Sequence, residues 1–104
     1  MGLPAYRSSH EVARRLPEIL SARGFSVVEE PIKANAVPAK PSFFYRVSDG
    51  RHAATVFGEY DSDCAFTMVI PRFSLRFGGS KFVRSLHACL LASGFTDYPD
   101  AKAA

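Results

Sequence analysis

The chain has 104 residues, a length typical of one domain, and 47% of them are hydrophobic while 22% are charged, the ordinary balance of a globular protein. This composition excludes a chain that is disordered over most of its length. Thirteen basic residues against ten acidic ones leave a formal charge of +3, a mild excess that favours acidic partners. We expect a single domain over residues 1–104, with loosely ordered termini at 1–7 and 98–104.

The cysteines and the missing motifs limit the class of protein further. Cys64 and Cys89 are too few for a disulfide framework and lack the paired spacing of a zinc site. The chain shows neither a secretory signal nor an apolar run of membrane-spanning length, and it contains no phosphate loop, nucleophile elbow or zinc-protease motif. The sequence therefore predicts a cytoplasmic protein that uses no metal or cofactor and does not enter a membrane.

Two segments have the apolar period of amphipathic helices. The first is expected to begin at Ser8, which opens a capping-box sequence, and to end at Gly24. A kink is expected at Pro17, because proline removes an amide donor from the helix. The second helix is expected to begin at Ser80 and to end at Gly94.

The two helical segments also resemble each other. Residues 12–25 and 82–95 align without gaps, with an arginine, two leucines, an alanine, a glycine and a phenylalanine in register. This similarity favours either a faint internal repeat or two amphipathic helices with glycine stops, which resemble each other for physical reasons alone.

Between the helices, the residues alternate with the period of two that is typical of strands. The predicted strands are 25–30, 43–48, 51–57 and 64–70, with a fifth strand or an extension over 72–77. Residues 31–41 contain three prolines and are expected to form an irregular loop. The order α-β-β-β-β-(β)-α predicts an α+β fold, in which two helices pack on one face of an antiparallel sheet of four to five strands.

Asp49 and Gly50 predict a hairpin turn between the strands 43–48 and 51–57. Alternation along the two strands then divides their side chains between the two faces of the sheet. One face is expected to join the core. The other carries aromatic rings beside guanidinium groups and is expected to be covered or to bind a partner; its residues are Phe44, Arg46, Arg51 and Phe57.

A basic face is predicted in the second half of the chain, because no acidic residue lies between Asp63 and Asp97. It consists of Arg72, Ser74, Arg76, Lys81 and Arg84. Guanidinium groups bind carboxylates and phosphates, so this face fits an acidic protein surface or a nucleic-acid backbone. Alternation turns the phenylalanines of 72–77 inward, which leaves no ring there to stack on bases and weakens the nucleic-acid interpretation.

The residues of a catalytic site are scattered. His10, His52 and His87 lie on three different predicted elements, and His87 is expected on the exposed side of the second helix. The acidic turn at 59–63 lacks the glycine and the distal glutamate of a calcium loop. A hydrolase or nuclease that uses His52 with this turn requires the side chains to converge in one pocket.

The sequence as a whole predicts a small non-catalytic interaction module, of the inhibitor, adaptor or assembly type, that binds a protein partner. A sheet edge is able to pair with a second chain, so a homodimer is one form of that prediction. The first alternative is a nucleic-acid-binding domain that uses the basic face. The second is a small hydrolase or nuclease with a histidine and acid site.

Overall fold

The computed structural model describes residues 5–31, 41–71 and 79–97. Within these residues one six-stranded antiparallel sheet carries three helices, so the α+β class and the antiparallel sheet are confirmed. In chain order the elements are β1 Ala5–Ser8, α1 His10–Arg14, α2 Leu16–Ala22, β2 Ser26–Glu29, β3 Phe43–Ser48, β4 Ala53–Tyr60, β5 Ala65–Pro71, α3 Gly79–Ala92 and β6 Thr96–Asp97.

The strand order across the sheet is β2-β3-β4-β5-β1-β6, and all neighbours are antiparallel. Strands β2 to β5 follow one another as a meander, whereas β1 is inserted between β5 and β6. Because β5 and β6 are both antiparallel to β1, they run parallel to each other, and α3 crosses over β1 to connect them. The pair α1 and α2 makes the corresponding long crossover from β1 to β2.

The ends of the chain differ most from the sequence-based expectation. Residues 5–7 belong to the segment expected to be loosely ordered, yet Ala5–Ser8 forms β1 and Tyr6 is only 2% exposed. With β6 as a further strand, the described residues hold six strands rather than four to five. Residues 72–77, which were expected to extend the sheet, lie outside the described residues, as do 32–40 of the predicted loop and the C-terminal segment 98–104.

The first helical segment is divided into two helices. The cap of α1 is Ser9, whose hydroxyl accepts the N–H of Val12 at 3.2 Å, one residue later than predicted because Ser8 is buried at the end of β1. The helix then breaks at Arg15, and Pro17 lies in the first turn of α2. Proline has no N–H to continue the first helix, so the expected kink is a complete break.

Helices α2 and α3 end in the same way. Gly24 and Gly94 have positive φ angles of 91° and 106°, which a residue with a Cβ rarely adopts. In each case the amide after the glycine donates to a carbonyl five residues earlier, Phe25 to Leu20 at 3.1 Å and Phe95 to Leu90 at 3.0 Å. This hydrogen-bond pattern is the Schellman motif, and it turns the chain back towards the sheet at the end of each helix.

The β3–β4 hairpin has a turn of residues 49–52, longer than the predicted two residues, because Ser48 pairs with Ala53. The Asp49 carboxylate closes this turn by accepting the N–H groups of Arg51 at 2.8 Å and His52 at 2.7 Å. Those two hydrogen bonds hold the pKa of the Asp49 carboxyl below its usual value. The register differs by two residues from the predicted one, so the side chains that remain in the two strands stay on their predicted faces.

The core lies between the helices and one face of the sheet. Burying one large aliphatic side chain stabilises a protein by about 2 kcal/mol relative to leaving it exposed. Eight of the largest fully buried side chains lie in this core, Leu16, Leu20, Leu86 and Leu90 from the helices and Tyr6, Val47, Val56 and Val69 from the strands.

At one position on the core face only glycine fits, because neighbouring atoms lie close to its backbone. Gly58 lies in β4 opposite Phe43 of β3, and a Cβ at this position would meet the Cζ atom of Phe43 at 2.6 Å and also the carbonyl oxygen of Phe66. The second obstacle is backbone, which cannot rotate away. The missing side chain of Gly58 therefore makes room for the Phe43 ring.

Gly58→Ala is expected to lower the free energy of unfolding by about 3 kcal/mol, at the upper end of the cost of overpacking a core. Urea denaturation followed by circular dichroism measures this change. The matched control is Glu59→Ala at the exposed neighbouring position, which is expected to change stability by less than about 0.5 kcal/mol. Equal denaturation midpoints for the two variants would show that the contact at Gly58 is not tight.

Candidate interaction surfaces

The sheet has a second face, which points away from the helices. None of its side chains joins the helix-packed core cluster in the described part of the chain. We call this surface the outer face. Strand pairing places on it the side chains of Ala5, Arg7, Val28, Phe44, Arg46, Thr55, Phe57, Glu59, Phe66, Met68 and Ile70.

An apolar band crosses the middle of the outer face. Phe44 is opposite Phe57, Phe57 is opposite Met68, and Met68 is opposite Ala5. The rings of Phe44 and Phe57 are stacked, with centroids 6.1 Å apart. Phe57 and Met68 remain partly exposed, whereas Phe44 and Ala5 are buried. The band therefore spans four neighbouring strands, and its exposed part is the pair Phe57 and Met68 in the middle of the sheet.

Charged residues border this apolar band. On one side Arg46 is exposed and lies opposite Val28, which is itself 54% exposed. On the other side Phe66 lies between Glu59 and Arg7 in the strand register. An apolar centre with a charged margin is the usual composition of a protein–protein interface.

In the structure, the four residues of the predicted hairpin surface do not all lie on the same face. Phe44, Arg46 and Phe57 share the outer face, as strand alternation predicts. Arg51 is exposed in the turn 49–52, beyond the end of the two strands. The first three residues therefore belong to one surface with Met68, which the hairpin pattern alone did not include.

Only part of the predicted basic face falls within the described residues. Lys81 and Arg84 are exposed and lie three residues apart on α3, so they share one side of that helix. Helix α3 has no acidic residue to neutralise them. Arg72, Ser74 and Arg76 lie outside the described residues. The two residues that are placed stand on the helix side of the sheet, away from the outer face.

His52 and the acidic turn do not form a common site. His52 precedes β4 and the turn at 59–63 begins at its last residues, so roughly 25 Å of extended chain separates them. His10 instead fixes that turn to α1, because its Nε2 donates to the carbonyl oxygens of Asp61 at 2.6 Å and Cys64 at 3.0 Å. Among residues 5–31, 41–71 and 79–97, no group of three or more histidine, cysteine or acidic side chains is arranged to hold a metal ion.

His87 makes a contact that the sequence did not predict. We expected it on the exposed side of α3, but it is half-buried and its Nδ1 lies 2.8 Å from the Tyr6 hydroxyl. Burial, and then the Asp97 carboxylate, raise the pKa of Tyr6 to about 12. Tyr6 therefore keeps its proton at neutral pH, and the contact joins β1 to α3. The buried Oγ1 of Thr67, opposite Tyr6 in β5, has no hydrogen-bond partner among the described residues.

The raised pKa of Tyr6 predicts alkaline destabilisation. Between pH 10 and pH 12 the native state binds this proton more tightly than the unfolded chain, so the free energy of unfolding falls as the pH rises through that window. Absorbance titration at the tyrosinate band is expected to show one group with a midpoint near pH 12, which Tyr6→Phe removes. An unchanged titration curve in this variant would assign that group to another tyrosine.

A comparison with protein-family models, curated proteins and solved structures gives no match for this chain. No helix of the described part combines the length and apolar character that crossing a membrane requires. The function of the chain is therefore inferred from its own surfaces.

Proposed function

We propose that this chain is a small non-catalytic interaction module, of the inhibitor, adaptor or assembly type, which binds a protein partner through the outer face. The observation that carries the proposal is the apolar band that crosses four strands of the outer face, in which Phe57 and Met68 are partly exposed, with the partly exposed Phe66 and Ile70 beside them. Large contiguous apolar patches on the surface of a soluble protein mark interaction sites. Burial of this band against a protein would supply the favourable free energy of binding.

The size of the outer face suits a specific but moderate contact. Six strands about 4.8 Å apart span about 24 Å, and three to four residue pairs along the strands extend about 20 Å. The resulting surface of roughly 500 Å² per partner gives a total interface of about 1,000 Å², at the low end of specific complexes. A regulatory or transient partner fits this area better than an obligate one.

The charge pattern favours protein over nucleic acid as the partner of this face. Arg46 and Arg7 are exposed, but Glu59 lies in the same row as Arg7 and is exposed as well. Nucleic-acid surfaces carry negative charge throughout, and binding them requires a largely basic surface. Mixed charges at the margin instead match the polar rim of a protein interface.

The decisive variant is Val28→Lys, which places a charge on the outer face at a side chain that is 54% exposed. Leu91→Lys is the matched control, because Leu91 is 42% exposed on α3. Neither side chain is part of the core cluster, so both variants are expected to fold. We expect Val28→Lys to weaken binding of the partner at least tenfold, about 1.4 kcal/mol, and Leu91→Lys to leave it unchanged.

The partner is identified in two steps. Sedimentation of the purified chain over a range of concentrations shows whether the partner is a second copy. Photo-crosslinking in cells, with the reactive amino acid replacing Val28 or Leu91 in turn, then captures a different protein if the chain is monomeric. A monomer that gives no specific adduct from Val28, or equal weakening by the two lysine variants, would refute the proposal.

Helix α3 carries the second candidate function, nucleic-acid binding. The favouring observation is that Lys81 and Arg84 are exposed on a helix without acidic residues. If phosphate contacts hold the complex, affinity for mixed oligonucleotides falls steeply with salt, and Lys81→Ala with Arg84→Ala lowers both the affinity and the salt slope. The absence of binding at low salt would remove this candidate.

A further inference from the structure

A cleft of about 460 Å³ opens where β2 ends and β3 begins. Among the described residues, its lining contains two carboxylates and four aromatic rings but no basic side chain. The residues that matter for its chemistry are Glu29, Glu30, Phe43, Phe44, Tyr45 and Tyr60. This composition is unlike that of the outer face, where arginines stand beside the apolar side chains.

Three of the rings form a continuous aromatic wall. The Phe43 centroid lies 5.8 Å from that of Tyr45 and 5.7 Å from that of Tyr60. Phe43 itself is buried over Gly58, whereas Tyr45 is half-buried and Tyr60 is 36% exposed. The two tyrosines therefore keep aromatic surface available to a ligand in the cleft.

A carboxylate stands directly beside this wall. Glu29 is opposite Tyr45 in the β2–β3 register and is exposed. Burial is the main cause that raises the pKa of Tyr45, and the Glu29 carboxylate adds to it, which places the negative charge near the phenol. The faces of aromatic rings attract cations through their quadrupole, and a neighbouring carboxylate adds a full negative charge.

A side chain of the protein itself, Arg14, already makes a cation–π contact with one of these rings. The guanidinium carbon of Arg14 lies 5.5 Å from the centroid of the Tyr60 ring, within the range of a cation–π contact. We propose that the cleft binds an organic cation, an ammonium or guanidinium group, between the tyrosine rings and the Glu29 carboxylate. Tyr45 and Phe43 point to the opposite side of the sheet from the outer face, whereas Phe44 lines the cleft and also belongs to the outer face, so the two sites adjoin at this strand end.

The same cationic group occurs free in small molecules and at the end of lysine and arginine side chains, and two titrations distinguish these sources. The first uses choline against 3,3-dimethylbutan-1-ol, which has the same shape without the charge. The second uses the tripeptide Gly-Arg-Gly against the same peptide with neutral citrulline. Amide chemical shifts in the folded chain at low salt report binding residue by residue.

We expect saturable shifts at residues 29, 30, 45 and 60 for at least one charged probe, with millimolar affinity, and none for its neutral counterpart. Glu29→Gln and Tyr45→Leu are each expected to weaken that binding at least fivefold. Glu18→Gln removes an exposed carboxylate from α2 and is the control expected to have no effect. The dispersion of the amide spectrum shows that each variant is folded.

The pair of titrations also decides the source of the cation. Stronger binding of choline assigns the cleft to a small ammonium compound, and stronger binding of Gly-Arg-Gly assigns it to a basic side chain of a peptide. Equal binding of charged and neutral probes, unchanged affinity in a folded Glu29→Gln variant, or no saturable shift with either cation would overturn the proposal.

Discussion

The pairing of β1 with its two neighbours is the interaction on which the rest of the structure depends. All four residues of β1 pair with β5, and two of them pair with β6 on the other side. Without β1, β5 would be an edge strand and β6 would have no partner in the sheet. The Tyr6 hydroxyl also contacts the Nδ1 atom of His87 in α3 at 2.8 Å. Strand β1 therefore determines both the width of the sheet and the position of the last helix.

This arrangement leaves one layer of helices on a wide sheet. An antiparallel sheet with one solvated face normally alternates apolar residues inward with polar residues outward. Strands β3 and β5 depart from that rule, since Phe44 points outward between two inward rings and Phe66, Met68 and Ile70 all lie on the outer face. The alignment of these apolar side chains across neighbouring strands is what makes them one surface.

Local signals in the sequence were sufficient for some elements and not for others. The ends of α2 and α3 were predictable because Gly24 and Gly94 supply a conformation that few other residues adopt. The position of the β3–β4 turn and the faces of the hairpin were predictable although the length of the turn was not, because a register difference of two preserves alternation. Strand β1 was missed because four residues show no clear period, and its partner β5 is about sixty residues away in the chain.

The candidate surfaces were likewise predictable only where local strand alternation was sufficient, and not where they depend on the pairing of distant strands. Phe44, Arg46 and Phe57 could be assigned to one face from the hairpin alone, whereas the extension of the band to Met68 and Ala5 depends on the pairing of β5 with β1. The contact of His87 was unpredictable for the same reason, since Tyr6 was assigned to no element. The cleft could not be predicted from the sequence either, because its lining residues come from the ends of three strands, which only the strand register brings together.

The edges of the sheet explain why we assign association to a face rather than to strand pairing. Edge strands join other chains when they are long, flat and uncharged, and proteins prevent this with short strands and charged residues. Strand β2 has four residues, ends at Glu29 and is followed by a second glutamate, so it is a short edge that carries charge. Strand β6 has only two residues and ends at Asp97. Both edges of the described sheet are therefore poor templates for pairing, which is why we propose the outer face, and not an edge strand, as the surface for a protein partner.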